Sequence, residues 1–262
     1  MEVIVLSDPP QAALLAARII AKELRARPDL VLGLATGRTM ELVYAHLVRL
    51  HREQALDFGR CRTFNLDEYI GLPPDHPGSY RTYMETHLFR QVNLAPGRTH
   101  LPDGMAEDFA GESRRYEALI AQAGGIDLQL LGLGADGHIG FNEPLSALLS
   151  RTREKALTPA TRLQNASMFG GDPDQVPPRA ITMGVGTILD SRRCLLLATG
   201  AEKAAILAKA VEGPVTAMVT ASALQLHPRC TVVADAAAAA ELQGIEYYRW
   251  IFENEPEWAD YR

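Results

Sequence analysis

Short apolar runs alternate along the chain with stretches whose apolar residues recur at helical spacing. Val3-Ile4-Val5-Leu6 has the character of a strand. Pro10 to Arg25 follows it with Ala, Leu and Ile three and four positions apart, the pattern of a helix with one buried face. The alternation then repeats. Leu30 to Leu34 precedes a helix pattern from Met40 to His51, Cys61 to Leu66 precedes a segment from Ser79 to Phe89, and a helix is expected over Glu107 to Ala123. Ile126 to Leu133, Cys194 to Ala198 and Cys230 to Ala234 complete the strand-like runs, and the five alanines from Ala236 to Ala240 fit a helix start. Apolar runs separated by helix-length segments predict βαβ units, and so an α/β fold with a mostly parallel sheet covered on both faces.

One stretch breaks the rhythm. Pro144 to Pro178 shows no clear strand, carries several polar residues and contains the turn cluster Gly170-Gly171-Asp172-Pro173. A long interruption inside a compact α/β domain is often a lid or a binding insertion. The 262 residues therefore read as one domain, 1–262, with a lid embedded at about 144–178.

Composition narrows the classes. An apolar share of 47% excludes wholesale disorder. With 26 Lys and Arg against 32 Asp and Glu, the net charge of −6 argues against a general nucleic-acid binder but leaves room for a small anionic ligand held by a few placed cations. Cys61, Cys194 and Cys230 are too few and too scattered for a disulfide framework or a four-ligand zinc site; Cys194 and Cys230 open apolar runs and read as buried thiols. No stretch approaches the roughly 20 apolar residues of a membrane span. The opening residues carry Glu2 and read as a strand, not a signal peptide, so the chain is expected to be cytoplasmic and free of membrane.

In an open parallel sheet, ligands bind beyond the carboxyl ends of the strands, and four loops there carry chemistry. Ala35-Thr36-Gly37-Arg38-Thr39 leads into a helix: it is either a phosphate cradle of hydroxyls, free amides and a guanidinium, or a routine strand-to-helix turn with a Thr cap. Asp67-Glu68-Tyr69 is either a solvated acidic pair or helix cap, or it holds one shielded carboxylate whose raised pKa suits a general base. Gly134 to Pro144 packs Asp136, His138, Asn142 and Glu143 among three glycines. Asp-Gly can form a plain hairpin turn, but a hairpin does not explain Asn142 and Glu143, so this segment reads as a catalytic loop. Lys203, in the first turn after Thr199-Gly200, is a phosphate ligand or a solvent-facing lysine. The seven histidines show no paired metal-ligand spacing, and neither a Gly-x-Ser-x-Gly elbow, a P-loop nor a dinucleotide fingerprint is present; no metal and no cofactor are expected.

At these residues the chain resembles the glucosamine-6-phosphate deaminase (glucosamine-6-phosphate isomerase) family. The matching segments are Leu32-Gly-Leu-Ala-Thr-Gly37, Thr63-Phe-Asn-Leu-Asp-Glu-Tyr-Ile-Gly71 and Leu131-Gly-Leu-Gly-Ala-Asp-Gly-His-Ile-Gly-Phe-Asn-Glu-Pro144. Pro178-Arg-Ala-Ile-Thr-Met-Gly-Val-Gly-Thr-Ile-Leu189 and Ser222-Ala-Leu-Gln-Leu-His-Pro228 follow in the family's order. The resemblance implies a Rossmann-like three-layer αβα fold and a cofactor-free conversion of glucosamine 6-phosphate to fructose 6-phosphate and ammonia. His138 would open the pyranose ring, oriented by Asp136 and Glu143, and Asp67 would move a proton between C2 and C1. Thr36, Gly37, Arg38, Thr39 and Lys203 would hold the phosphosugar.

Two departures from the family pattern stand out. Arg38 and Met40 replace a residue that is usually small and one that is usually Pro, and Asn165-Ala166-Ser167 lacks the arginine that ends this run elsewhere in the family. Arg38 would supply the lost cation from the facing loop; otherwise the phosphate pocket, and the substrate with it, has changed. Ser146, Arg153 and Lys155 match an effector site for N-acetylglucosamine 6-phosphate in regulated, hexameric members, whereas other members are monomeric; a homo-oligomer is thus one expectation. Tyr248, Arg249 and Trp250 depart from the regulated pattern. Two competing readings are a lactonase or other isomerase on the same fold, which leaves Asp67-Glu68-Tyr69 unexplained, and a sugar-phosphate sensor. Such a sensor would carry a helix-turn-helix domain, for which a first strand at about residue 2 leaves no room.

Overall fold

A computed structural model describes all 262 residues. The ten strands are β1 (Glu2–Leu6), β2 (Val31–Leu34), β3 (Arg62–Asn65), β4 (Asp67–Tyr69), β5 (Thr99–His100), β6 (Leu128–Gly132), β7 (Arg153–Ala156), β8 (Arg179–Thr182), β9 (Cys194–Ala198) and β10 (Cys230–Asp235). The helices are α1 (Pro9–Ala26), α2 (Arg38–Gln54), α3 (Tyr80–His87), α4 (Phe109–Gln122), α5 (Pro159–Asn165), α6 (Val185–Leu189), α7 (Ala204–Val211) and α8 (Ile245–Asn254).

Seven strands form one sheet in the order β1-β10-β9-β6-β2-β3-β5, every neighbouring pair parallel. Strands buried on both faces read as near-continuous apolar runs, and β9 and β10 are buried at every position, with only Thr231 and Asp235 polar among them. Helix α1 starts at Pro9, behind an Asp8 carboxylate that accepts the Gln11 N–H at 2.9 Å, and packs on α2 and on β1, β9 and β10. The chain runs outward from β2 to β3 and β5, then returns to place β6 on the other side of β2 and runs outward again through β9 and β10. The strand order therefore reverses between β2 and β6, and at such a point the loops beyond the two strands part to leave a crevice.

The structure corrects the expectation in three places. Pro144 to Pro178 does contain a strand, β7, and also the helix α5. β7 pairs antiparallel with β8, and β8 pairs antiparallel with β4, giving a second, three-stranded sheet. The segment shares the main core, because Leu157, Ala166 and Val176 belong to the same apolar cluster as the central strands. The chain also does not stop at an acidic loop after β3: Asp67-Glu68-Tyr69 is itself β4. The five alanines form successive turns, not a helix start, and α8 begins only at Ile245. There the Asp235 carboxylate takes the Ala238 and Gly200 amides, and Glu212 takes those of Gln243 and Gly244. Asp235 thus caps the first turn as it would a helix, but the backbone bonds that follow, from Ala240 to the Ala237 carbonyl and from Leu242 to the Ala239 carbonyl, span only three residues and carry no helix onward.

Candidate active site

The crevice beyond β2 and β6 is a cavity of about 850 Å³. Thr36, Gly37, Arg38, Thr39, Asp67, His138 and Lys203 all line it, so most residues singled out in the sequence come together in one place.

The loop after β2 turns at Gly37, whose φ of +115° favours glycine, and this residue is the N-cap of α2. The first amides of a helix have no partner within it and point at whatever occupies its end. Two tyrosines hold the loop in place: Tyr83 donates to the Gly37 carbonyl at 2.8 Å, and Tyr44 to the Ala35 carbonyl. Lys203 closes a short turn, Ala201–Lys203, at the mouth of α7. Burial pulls its ammonium below the usual lysine range, while Glu202 and Asp136 pull the other way. Helix-end amides, hydroxyls and the cations of Arg38 and Lys203 share this wall, a set that can hold an anion.

The loop after β6 holds a histidine between two carboxylates. His138 Nδ1 lies 2.7 Å from Asp136 Oδ1 and 3.8 Å from Glu143 Oε2. Asp136 also accepts the His138 N–H, and Glu143 is held by the Thr158 amide at 2.9 Å. Burial alone would raise the Asp136 carboxyl, but the His138 ring outweighs it and holds the carboxyl below the usual range. Nδ1 faces the two carboxylates without making a well-aligned hydrogen bond to either, and Nε2 points the other way, free for chemistry. It lies over Gly134: a Cβ there would be 2.3 Å from Nε2, so only glycine leaves space for the ring. Asn142 is not part of the cavity wall. It is fully buried and braces the loop, donating to the Ile139 and Met183 carbonyls and accepting from Arg153.

Asp67 and Glu68 divide between them the two readings of the acidic pair. Glu68 turns away from the cavity and caps α3, accepting the Tyr69, Tyr80 and Arg81 amides at 2.9 Å each. Asp67 faces the cavity, is 5% exposed, and meets the Thr182 hydroxyl and the Phe141 amide. Burial first, and then the Glu68 charge, push its carboxyl up to about 8. Gly140, at φ +56°, brings the loop after β6 against it, since a Cβ there would lie 3.3 Å from Asp67 Oδ2.

Helix α5 and the turn after it form the remaining wall, through Gln164, Asn165, Ser167 and Met168. Ser167 and Arg38 thus share one cavity, and this stretch of the 144–178 segment brings no cation to it. Gly170 and Gly171 follow, with φ of +68° and +85°. Tyr80 and Tyr83 also line the cavity, and Thr182 supports Asp67 from behind, although the sequence reading gave them no role. At helical or strand spacing an aromatic or a threonine looks like core, and no local signal sets these apart. Asp136, His138 and Glu143 hold ligand atoms within 4.8 Å of one another, a donor set that could take a cation; a search for Cys and His pairs does not find it. Ser146, Arg153 and Lys155 lie outside the cavity: Ser146 is buried with an unpartnered hydroxyl, Arg153 donates to Asn142, and Lys155 sits in β7.

A family model described as glucosamine-6-phosphate isomerases/6-phosphogluconolactonase matches residues 10–233. The chain belongs to this family. Among curated members, it is 51% identical over 251 residues to a glucosamine-6-phosphate deaminase of Hahella chejuensis, covering 96% of this chain and 95% of that one. A glucosamine-6-phosphate deaminase of an Arthrobacter species is 50% identical over 258 residues, 98% of this chain and 99% of its own. A solved monomeric glucosamine-6-phosphate deaminase superposes with a TM-score of 0.90 at 44% identity, covering 92% of this family member and all of that chain. A 6-phosphogluconolactonase from Trypanosoma cruzi shares the fold at a TM-score of 0.74 and 21% identity, over 92% of this chain and 97% of its own.

Proposed function

We propose that the chain is a glucosamine-6-phosphate deaminase, converting glucosamine 6-phosphate and water to fructose 6-phosphate and ammonia. The observation that carries this reading is Asp67, a buried carboxyl raised to about 8 in the same cavity as His138 and the N-terminus of α2. Moving a proton at a carbon beside a carbonyl needs one shielded base with a pKa near the working pH. The identity near 50% with curated glucosamine-6-phosphate deaminases supports it.

The phosphate sits on the Thr36 to Thr39 loop, against the α2 amides, with Lys203 and Arg38 supplying positive charge. His138, steadied by Asp136 and Glu143, takes the proton from the anomeric hydroxyl through Nε2 and returns one to the ring oxygen, opening the pyranose. Asp67 then removes the C2 proton and delivers it to C1. The resulting imine at C2 takes up water and releases ammonia. Every step is a proton transfer or a water addition, so the reading asks for no metal and no cofactor. A lactonase needs no base at C2 and would leave Asp67 idle.

The chain works as one domain in the cytoplasm, with 144–178 as a lid over the phosphosugar; no helix is long and apolar enough to cross a membrane. Homo-oligomeric association and an effector site at Ser146, Arg153 and Lys155 form a separate proposal. A monomeric mass with an effector-independent saturation curve would remove it. The activity itself is tested by offering purified protein glucosamine 6-phosphate and 6-phosphogluconolactone separately. Ammonia from the first and no hydrolysis of the second is expected, and the reverse would overturn the reading.

A further inference from the structure

The loop between β2 and α2 carries amides that the rest of the chain does not occupy. Thr36, Gly37 and Thr39 donate their N–H groups to no backbone carbonyl, and no side chain caps the start of α2. The first turn of the helix therefore keeps its free amides. Two carbonyls of the same loop, by contrast, are held. The Tyr44 hydroxyl donates to the Ala35 carbonyl, and the Tyr83 hydroxyl donates to the Gly37 carbonyl at 2.8 Å. Tyr44 lies on α2 and Tyr83 on α3, and their rings meet edge to face with centroids 6.4 Å apart. Tyr44 is fully buried and takes no part in the cavity wall, whereas Tyr83 is 7% exposed and lines it. Burial pushes both phenols well above the usual tyrosine range, so each hydroxyl keeps its proton and remains a donor.

We propose that Tyr44 and Tyr83 are positioning residues that aim the amides of Thr36 and Arg38 at the phosphate of the substrate. The inference rests on the phosphosugar reading above. A peptide unit is planar and trans, so its C=O and its N–H point in opposite directions. The Ala35 carbonyl points at the buried Tyr44 hydroxyl. The N–H of the same unit, that of Thr36, then points away from the core, on the side of the cavity that Thr36 lines. Tyr83 acts in the same way on the unit that joins Gly37 to Arg38. Its carbonyl is held by the Tyr83 hydroxyl and by the Met40 amide at 2.9 Å, and the Arg38 N–H faces the other way. Gly37, whose φ of +115° favours glycine, lies between these units and would let either turn over if nothing held their carbonyls. A hydroxyl that donates to a carbonyl also polarises the peptide unit, which makes the N–H at its far end a stronger donor. An arriving phosphate thus meets amides already aimed at it and has less of the loop to order.

Calorimetric binding of glucitol 6-phosphate tests this without relying on turnover, since the probe carries the phosphate but has no amine and no ring to open. Tyr44→Phe is the sharper variant, because a buried ring outside the cavity wall cannot touch the ligand and acts only through the loop. Tyr44→Phe and Tyr83→Phe should each weaken binding about fivefold, the effect of one hydrogen bond, and raise the KM for glucosamine 6-phosphate to match. Their kcat should stay within about twofold of the wild type, because the loss falls on binding and not on the proton transfers. The two hydroxyls hold different peptide units, so the double variant should lose about 25-fold. Affinity lost in Tyr83→Phe but kept in a folded Tyr44→Phe would overturn the proposal, and so would a fall in kcat as large as the loss of affinity. Hydrogen exchange at single amides gives a second reading that needs Tyr83→Phe alone. The probe should slow exchange at Thr36 and Arg38 in the wild type, and in Tyr83→Phe the protection should weaken at Arg38 more than at Thr36. Equal protection at both would overturn the assignment. A wild-type protein that binds the probe but releases no ammonia from glucosamine 6-phosphate would count against the deaminase reading alone.

Discussion

Replacing Asp67 by Asn should nearly abolish turnover and, at the same time, make the protein more stable at neutral pH. Loss of a positioned general base lowers kcat by about 10²- to 10⁴-fold. The stability effect follows from the raised carboxyl, about 8 in the folded protein against an ordinary 3.8. A raised value means that the favourable share is fully present below about pH 4 and is lost as the pH rises towards 8. At pH 7 an unfolded chain ionises this carboxyl freely while the folded chain keeps it protonated, a difference of about 4 kcal/mol against folding. Asn carries no such penalty. It does lose one acceptor facing the Thr182 hydroxyl and the Phe141 amide, which takes back about 1–3 kcal/mol. The net gain at pH 7 is therefore about 1–3 kcal/mol, or roughly 2–6 °C in Tm for a chain of this size. At pH 5 the ionisation penalty is only about 2 kcal/mol, so the gain should vanish or change sign. Thermal unfolding of both proteins from pH 5 to pH 8 reads this directly. A Tm difference that does not change with pH would refute the claim that burial holds Asp67 protonated.

Other substitutions probe separate parts of the site. Arg38→Ala should raise the KM for glucosamine 6-phosphate about tenfold or more, the worth of one charge-assisted bond to phosphate, with a smaller effect on kcat; an unchanged KM would show that Arg38 does not replace a lid cation. Gly134→Ala places a methyl group where the His138 ring stands and should lower kcat about 10²-fold while circular dichroism stays native; normal turnover would mean that Nε2 is not the working nitrogen. Because the Glu68 charge helps to raise Asp67, Glu68→Gln should move the rise of kcat/KM with pH to lower pH, and a rise that stays in place would remove Glu68 from the account.

Much of this architecture was legible in the sequence because parallel strands buried on both faces read as near-continuous apolar runs. The runs at Val3, Leu30, Ile126, Cys194 and Cys230 each mark a strand of the main sheet to within a few residues. The second sheet left no such trace. β7 reads Arg-Glu-Lys-Ala and β4 is three residues long with two acids, so neither shows the period of a half-buried strand; each exists because β8 offers a ladder. The alanines at 236–240 have the highest helix propensity in the chain, yet after the Asp235 cap their backbone bonds tighten to three-residue turns and no helix forms. In the site, Asp67, His138 and Lys203 were visible because an open parallel sheet binds its ligands beyond the carboxyl ends of its strands, where these residues follow apolar runs. Glu68 and Asn142 lie in the same segments, but they brace backbone, and only the fold separates a brace from a cavity wall. Tyr80 and Tyr83, which line the cavity, were hidden because buried aromatic side chains are indistinguishable from core until the fold places them.

The central claim is that Asp67 moves a proton on an open-chain amino sugar. It is tested most directly by incubating purified wild-type and Asp67→Asn proteins with glucosamine 6-phosphate, without added metal or nucleotide, and following ammonia and fructose 6-phosphate together. Equal amounts of both from the wild type, and neither from the folded variant, is the predicted result. Undiminished turnover by Asp67→Asn, or a folded wild-type protein that releases no ammonia, would contradict it.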